Sequence, residues 1–249
     1  VQTLLNNGQT PLQIINDGYS LDSLYGCNYQ GGQIFHFDAS QNRGLVVAPN
    51  DMVYGNSTWP PNNSTWYAFW GCANTNVGTS QALYTGAANT AAINSSFLYG
   101  TISPNVPFNS NSPCNSSGGF SCVNPYGVDQ YKYSSIMTQG FNSTVNGPNY
   151  NNFSSYYDWY IPSTNELLAI YNNLVVPGHL TFTTAPPTLQ VIYISSSEDP
   201  NIFNGVYQWY NSVEFIDGNG NLSGTVYSPQ KCQYNSGGTG RHISAVRTF

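Results

Sequence analysis

Charge is nearly missing from this chain. Asp, Glu, Lys and Arg make up 6% of its 249 residues, against about 25% in an average soluble domain. Any folded surface must therefore be built from Asn, Ser, Thr, Gln and Gly. Hydrophobic residues still reach 40% and aromatics 15%, with 20 Tyr. Disorder requires low hydrophobicity together with high net charge, so the chain is expected to fold, and at this length it buries a core without staples. No apolar run approaches the roughly 18 residues of a membrane span. Five Lys and Arg against 11 Asp and Glu, a net charge of −6, leave no basic stripe to neutralise phosphates. Neither membrane insertion nor a nucleic-acid partner is expected.

The sequence starts at Val1 without Met or a basic-then-apolar leader, which reads as a processed N-terminus. Asn-x-Ser/Thr sequons at Asn56, Asn62, Asn63, Asn94, Asn115, Asn142, Asn152 and Asn221 are candidate glycosylation sites of surface loops. In so Asn- and Ser-rich a chain some of them arise by chance. Few Lys and Arg also means few tryptic sites, which suits an extracellular or cell-surface location. The five cysteines are Cys27, Cys72, Cys114, Cys122 and Cys232, an odd number that leaves one over. Cys114 and Cys122 bracket a short Gly/Ser loop and are expected to form a local disulfide. A bridge from Cys27 to Cys232 would fasten the start of the domain to its last hairpin, leaving Cys72 as a small buried hydrophobe.

Local patterning divides the chain. In residues 1–26, Thr10 and Ser20 are N-cap residues, Pro11 holds a first helical position, and Gly8, Gly18 and Gly26 suit left-handed stops. A short helical N-terminal segment is expected there, followed by one domain over 27–249. GGQIFHFD and GLVVAP, separated by the polar turn SQNRG, predict a β-hairpin. Residues 79–94 are Ala-rich and carry a helical signal weakened by Gly86. Residues 95–155 have little periodicity and exceed the usual length of a structureless connection, so an insertion is expected. Ser163 and Glu166 form a capping box before the apolar side Leu167, Leu168, Ile170, Tyr171 and Leu174. After Pro186 and Pro187, LQVIYISSS, VYQWYNSVEFI, LSGTVYS and HISAVRTF predict antiparallel strands. Helices in the first two thirds with strands at both ends describe an α+β domain rather than alternating βαβ units.

The ordered blocks YQGGQIFHFD, GLVVAPND, WGCANTNVGT with GAANTAAI, YDWYIPSTNELLAIYNNL, YISSSED and ISAVRTF carry a family resemblance over about Leu21 to Phe249. The chain resembles the bacterial surface domains named after the C-terminal domain of the Legionella collagen-like adhesin. That resemblance implies a C-type-lectin-like fold, with paired N- and C-terminal strands, two helices and a long loop insertion. In such a fold Ile34–Asp38 and His242–Thr248 are suitable partners. The stretch 95–155 is longer than the family's usual link.

A hydrolase would need a carboxylate pair, a nucleophile with His, or a metal centre, and no such motif declares itself, so no enzyme and no obligate cofactor are expected. Glu166 is expected as a cap, and Asp158 as an acceptor of hydrogen bonds within the fold. Calcium is weighed because C-type lectins hold sugars through it. Glu198, Asp199 and Asn201 are similar to a Glu-Pro-Asn sugar-binding motif, with an extra Asp inside. Asp217-Gly218-Asn219-Gly220-Asn221 resembles the start of an EF-hand loop but is equally an ordinary hairpin turn. Metal-free sugar binding would use aromatic platforms, for which Trp59, Trp66, Tyr67, Trp209 and Tyr210 are the candidates, while Trp70 is expected in the core.

The expected function is that of a secreted or cell-surface, non-enzymatic recognition or adhesion domain whose partner is a glycan or a surface protein. The alternative is a structural subunit of an extracellular fibre or sheath, with copies of itself as partners. In that case the N-terminal segment and the insertion would dock onto neighbours, since little like-charge repulsion opposes close packing.

Overall fold

A computed structural model describes residues 1–49, 70, 76–96, 156–180, 190–200, 210–229, 241–242 and 244–249. The chain opens with helices α1 (Gln2–Asn6) and α2 (Pro11–Asn16) and a 3-10 turn at Leu21–Leu24. Thr10 caps α2 by accepting the Gln13 N–H on its hydroxyl at 3.3 Å, while Gln13 Oε1 accepts the Thr10 N–H at 2.8 Å. This reciprocal pair satisfies amides that a helix start leaves orphaned. Gly8, Gly18 and Gly26 have positive φ after the successive turns. Ser20 precedes the 3-10 turn but makes no side-chain cap. Leu5, Ile14 and Leu24 are buried in one cluster with Ile34, Phe37 and Val46, so this segment packs onto its own domain.

Among the described residues eight strands follow: β1 (Asn28–Tyr29), β2 (Gly32–Asp38), β3 (Arg43–Val47), β4 (Val191–Glu198), β5 (Tyr210–Ile216), β6 (Val226–Tyr227), β7 (Arg241–His242) and β8 (Val246–Thr248). They form two sheets, ordered β1-β2-β3-β8 and β6-β5-β4-β7. With α3 (Gly86–Ser96) and α4 (Thr164–Ile170), the architecture is mixed α+β. The β1–β2 hairpin turns on Gln30 and Gly31, both at positive φ, the two-residue geometry that matches strand twist.

In the first sheet β3 is a central strand, antiparallel to β2 and β8. Its side chains alternate between two cores. Val46 joins Ile34, Trp159 and Ile161 with the N-terminal helices, whereas Leu45 and Val47 join Phe35, Val246 and the α4 side chains Leu167 and Ile170. In β2, Ile34 faces the first core and Phe35 the second, so both are buried, and a register shift falls between Ile34 and His36.

Two expectations about the closing strand are corrected. Ile34 pairs with Val46, and Val46 in turn pairs with Arg247, so β2 and β8 share a sheet with β3 between them. The tight β2–β3 hairpin closes first in sequence and takes that edge of β2, leaving the far edge of β3 for the returning chain. The closing segment is also divided: β7 pairs parallel to β4 in the second sheet, and β8 joins the first. Tyr160 bridges to Val246 by reciprocal backbone hydrogen bonds of 2.8 and 2.9 Å, which anchors the residues before α4 to β8.

Arg247 fixes the same join from its side chain. Its Nε and Nη2 donate to the two carboxylate oxygens of Asp158 at 2.6 and 3.0 Å, its Nη1 donates to Gln30, and its guanidinium lies 3.9 Å from the Tyr156 ring centroid. A planar fork satisfied at every nitrogen is how a scarce cation is buried without loss.

Helix α4 follows the predicted box. Ser163 Oγ accepts the Glu166 N–H at 3.3 Å and Glu166 Oε2 accepts the Ser163 N–H at 2.7 Å. Leu167, Ile170 and Leu174 are buried, the last in a π-helical turn at Tyr171–Val175 that extends the helix. Asn173 on that turn donates to the Phe35 carbonyl at 2.9 Å. Helix α3 starts at Gly86, later than the Ala-rich composition predicts. Residues 79 and 80 are engaged elsewhere: the Thr79 hydroxyl accepts the Glu198 N–H at 2.6 Å, and the Ser80 carbonyl accepts the Asn89 side-chain amide at 2.6 Å and the Ser197 hydroxyl at 2.8 Å.

Gly86 sits where no side chain fits. A Cβ there would lie 2.4 Å from Glu166 Oε2, 2.7 Å from the Ile161 carbonyl oxygen and 2.7 Å from the Tyr160 ring. At an ordinary helical site Gly→Ala stabilises by about 1 kcal/mol. Here overpacking governs, and Gly86→Ala is expected to destabilise by about 1–3 kcal/mol, measured as a lowered urea midpoint with unchanged m-value.

Candidate functional site

Much of the charge in the described core is carboxylate, and each buried carboxylate needs donors. Glu166, fully buried, is held at the start of both helices. Besides closing the α4 box it accepts the Gly86 N–H at 3.4 Å. Burial outweighs these donors and raises its pKa from 4.5 to about 7. The same burial raises the Tyr160 hydroxyl, helped by the Glu166 charge. Tyr84 lies close by with φ 63, its ring 3.7 Å from the Arg43 guanidinium carbon, and burial pushes its pKa up to about 12.

Glu198, at the end of β4, is the first of the expected calcium ligands. Its carboxylate accepts the backbone N–H groups of Val77 at 2.9 and 3.0 Å, Gly78 at 2.9 Å and Thr79 at 3.4 Å. Successive N–H groups turned to one point make an anion-holding concavity, the opposite of what surrounds a cation. Glu198 therefore ties the 76–80 segment to β4. Asp199 is buried beside it, and Asn201 lies outside the described residues. Among the described residues no group of three or more His, Cys, Asp and Glu is placed to hold a metal. Likewise, no helix among them is long and apolar enough to cross a membrane.

The aromatic candidates divide. Tyr210 is corrected from platform to core. It is 2% exposed and stacks on fully buried Trp70 with ring centroids 6.1 Å apart, and the Trp70 indole N–H donates to the Ser195 carbonyl at 2.8 Å. Tyr210 stands on the β5 face turned to that core, so its ring offers no open face. Trp59, Trp66, Tyr67 and Trp209 lie outside the described residues, as do Cys72, Cys114, Cys122 and Cys232 and the sequons at Asn56, Asn62, Asn63, Asn115, Asn142 and Asn152. Asn94 falls within α3.

Cys27 carries a free thiol, and Cys232, its expected partner, lies outside the described residues. The thiol points back into its own turn, donating to the Ser23 carbonyl at 3.5 Å, and burial raises its pKa. Asn221 is exposed on the β5–β6 connection. Asp217 organises that turn by accepting the N–H groups of Asn219 and Asn221 at 2.8 and 2.9 Å. Its carboxylate thus serves the hairpin, the second of the two roles open from sequence.

The site that sequence reasoning missed lies on β5 and β6. Glu214 is 2% exposed, yet its carboxylate reaches an exposed sheet edge. One oxygen accepts the Gln190 side-chain amide. The other accepts the Ser223 hydroxyl at 2.5 Å and the Tyr227 hydroxyl at 3.2 Å, and Ser223 pairs with Thr225 Oγ1 at 2.7 Å. Desolvation and the Glu214 charge raise the Tyr227 pKa, so that hydroxyl keeps its proton. Only Tyr227 of the three hydroxyl residues lies on β6. Ser223 and Thr225 belong to the connection before it, where the Ser223 N–H donates to the Phe215 carbonyl and the Thr225 carbonyl accepts the Glu214 N–H, so no strand periodicity announces the group.

No protein-family model matches the chain, and none of the curated proteins is similar to it in sequence.

The raised Glu166 pKa has a definite sign. The folded chain binds this proton more tightly than the unfolded one, so stability falls as pH rises through the window from 4.5 to about 7. His36, whose pKa burial lowers from 6.5, acts oppositely over part of that window and is retained in a Glu166→Gln variant. The difference in unfolding free energy between wild type and that variant, followed by urea titration across the window, is expected to shift in favour of the variant as pH rises. A pH-independent difference would remove the assignment.

Proposed function

We propose that this chain is a secreted or cell-surface recognition and adhesion domain, non-enzymatic, with a C-type-lectin-like arrangement and a glycan or surface protein as partner. The observation that carries the reading is how the buried carboxylates are used. Glu166 and Glu198 are occupied by backbone N–H groups of the fold, while Glu214 organises side-chain hydroxyls at an exposed edge. Fixed acids of the first kind hold a scaffold, and an ordered polar edge beside an exposed tyrosine is suited to binding. The lectin-like arrangement is supported by β2 and β8 sharing a sheet, two helices, and a long 97–155 segment. The chain enters that segment after Ile93 and leaves it before Trp159, both in one core cluster.

The extracellular assignment is supported by the scarcity of Lys and Arg and by the exposed sequon at Asn221. The alternative, a fibre or sheath subunit, retains exposed Tyr19, Leu21 and Tyr157 as contacts. It loses much of the N-terminal segment as a docking arm, because Leu5, Ile14 and Leu24 are spent on the domain's own core.

A glycan and surface-protein array probed with the purified chain is expected to give saturable binding, and electron microscopy of the same sample to show dispersed particles. An array without hits together with ordered filaments would transfer the assignment to the structural subunit. Produced in a cell with an N-glycosylation system, the chain is expected to carry a glycan at Asn221, read by peptide mass spectrometry as a mass lost after glycosidase treatment.

A further inference from the structure

The edge formed by Gln190, Glu214, Ser223, Thr225 and Tyr227 has a direction built into its hydrogen bonds. Gln190 donates its amide N–H to one Glu214 oxygen, and Ser223 and Tyr227 donate their hydroxyl protons to the other. A hydroxyl has one proton to give. Since the Ser223 proton goes to Glu214, the 2.7 Å contact with Thr225 requires Thr225 to be its donor. Every hydroxyl proton in the row thus points inward toward the carboxylate, and the outward lone pairs of Thr225 Oγ1 and the Tyr227 oxygen are left as acceptors. Thr225 is exposed and Tyr227 is 41% exposed, so both are within reach of a ligand.

A second observation lies on the same face. Ser212 is paired directly opposite Tyr227, is fully buried, and its hydroxyl has no hydrogen-bond partner among the described residues. An unmade hydrogen bond at a buried hydroxyl is costly. It leaves one donor beside a row that otherwise offers acceptors.

We infer that this edge is a saccharide subsite for neutral, hydroxyl-rich sugars, binding without metal. The inference rests on the recognition reading above and names its ligand class. A pyranose supplies the many hydroxyl donors that an acceptor-rich row requires, and its apolar face suits the exposed Tyr227 ring. The Glu214 charge lies behind the row with few cations anywhere in the chain to offset it, so uronic, sialylated and sulfated sugars are repelled. One carboxylate already shared among three side-chain donors is a poor cation ligand, which separates this subsite from calcium-dependent sugar binding.

The test is a glycan array carrying neutral, sialylated, uronic and sulfated saccharides, probed in the presence of EDTA. The probes are the wild-type chain and its Tyr227→Ala and Thr225→Val variants, with thermal unfolding of each recorded alongside. Thr225→Val leaves the three donors to Glu214 in place and is expected to unfold with wild type, whereas Tyr227→Ala removes one of them and is expected to unfold at a lower temperature while remaining folded at the temperature of the array. Wild type is expected to bind neutral saccharides, with affinity reduced about tenfold in Tyr227→Ala and less in Thr225→Val. Neutral-sugar binding that both variants retain in full overturns the subsite and leaves recognition elsewhere on the chain standing. A preference for acidic sugars, or binding abolished by EDTA, also overturns it. A wild-type chain that binds no saccharide overturns the glycan reading and the subsite together.

Discussion

A single buried carboxylate joins helices α3 and α4. Glu166 closes the capping box of α4 and accepts the first amide of α3, so both helix starts are satisfied from one side chain. The arrangement works because a helix N-terminus presents orphaned N–H groups and the positive end of its dipole, which offset part of the cost of burying the carboxylate. It also demands that α3 approach closely, and this explains why Gly86 stands where its backbone meets Glu166, Ile161 and Tyr160. From this junction α4 carries Leu167 and Ile170 into the core it shares with β2, β4 and β5, and Tyr160, just before α4, is stitched to β8.

The same economy recurs wherever charge is buried. Glu198 gathers the amides of Val77, Gly78 and Thr79, and Arg247 spends its guanidinium on Asp158 and Gln30. In a chain with so few ionic groups, those that are buried cross-link segments distant in sequence. Glu214 differs because its partners are side-chain hydroxyls at a sheet edge rather than backbone amides. A carboxylate surrounded by amides is locked into the fold, whereas one surrounded by rotatable hydroxyls orders a surface whose outward lone pairs remain open. That contrast separates scaffold from candidate binding edge more sharply than the aromatic content does, since Tyr210, an inviting aromatic in sequence, is a core residue stacked on Trp70.

Elements governed by neighbours in sequence were readable in advance. The Thr10 cap, the Ser163–Glu166 box, the β2–β3 hairpin and the Asp217 turn depend on residues a few positions apart, and their spacing carries the signal. The start of α3 was not readable, because Gln81, Ala82 and Leu83 before Gly86 continue the helical signal of the alanines after it, and long-range bonds from Ser197 and Glu198 to Ser80 and Thr79 override it. The Glu214 edge was equally hidden. Its members are separated by up to 37 positions along the chain, from Gln190 to Tyr227, and none of them belongs to a local motif.

The sequence alone determined an α+β domain with an uncharged polar skin, a capped helix and strands at both ends, because periodicity and capping are local and composition limits the surface. Tertiary structure decided the rest. It set β3 between β2 and β8, split the closing segment between two sheets, pointed the Cys27 thiol into its own turn, and turned Glu198 to backbone amides and Glu214 to hydroxyls. Which partner a strand edge or a carboxylate finds depends on what the whole chain brings within about 3 Å of it, and no local pattern encodes that proximity.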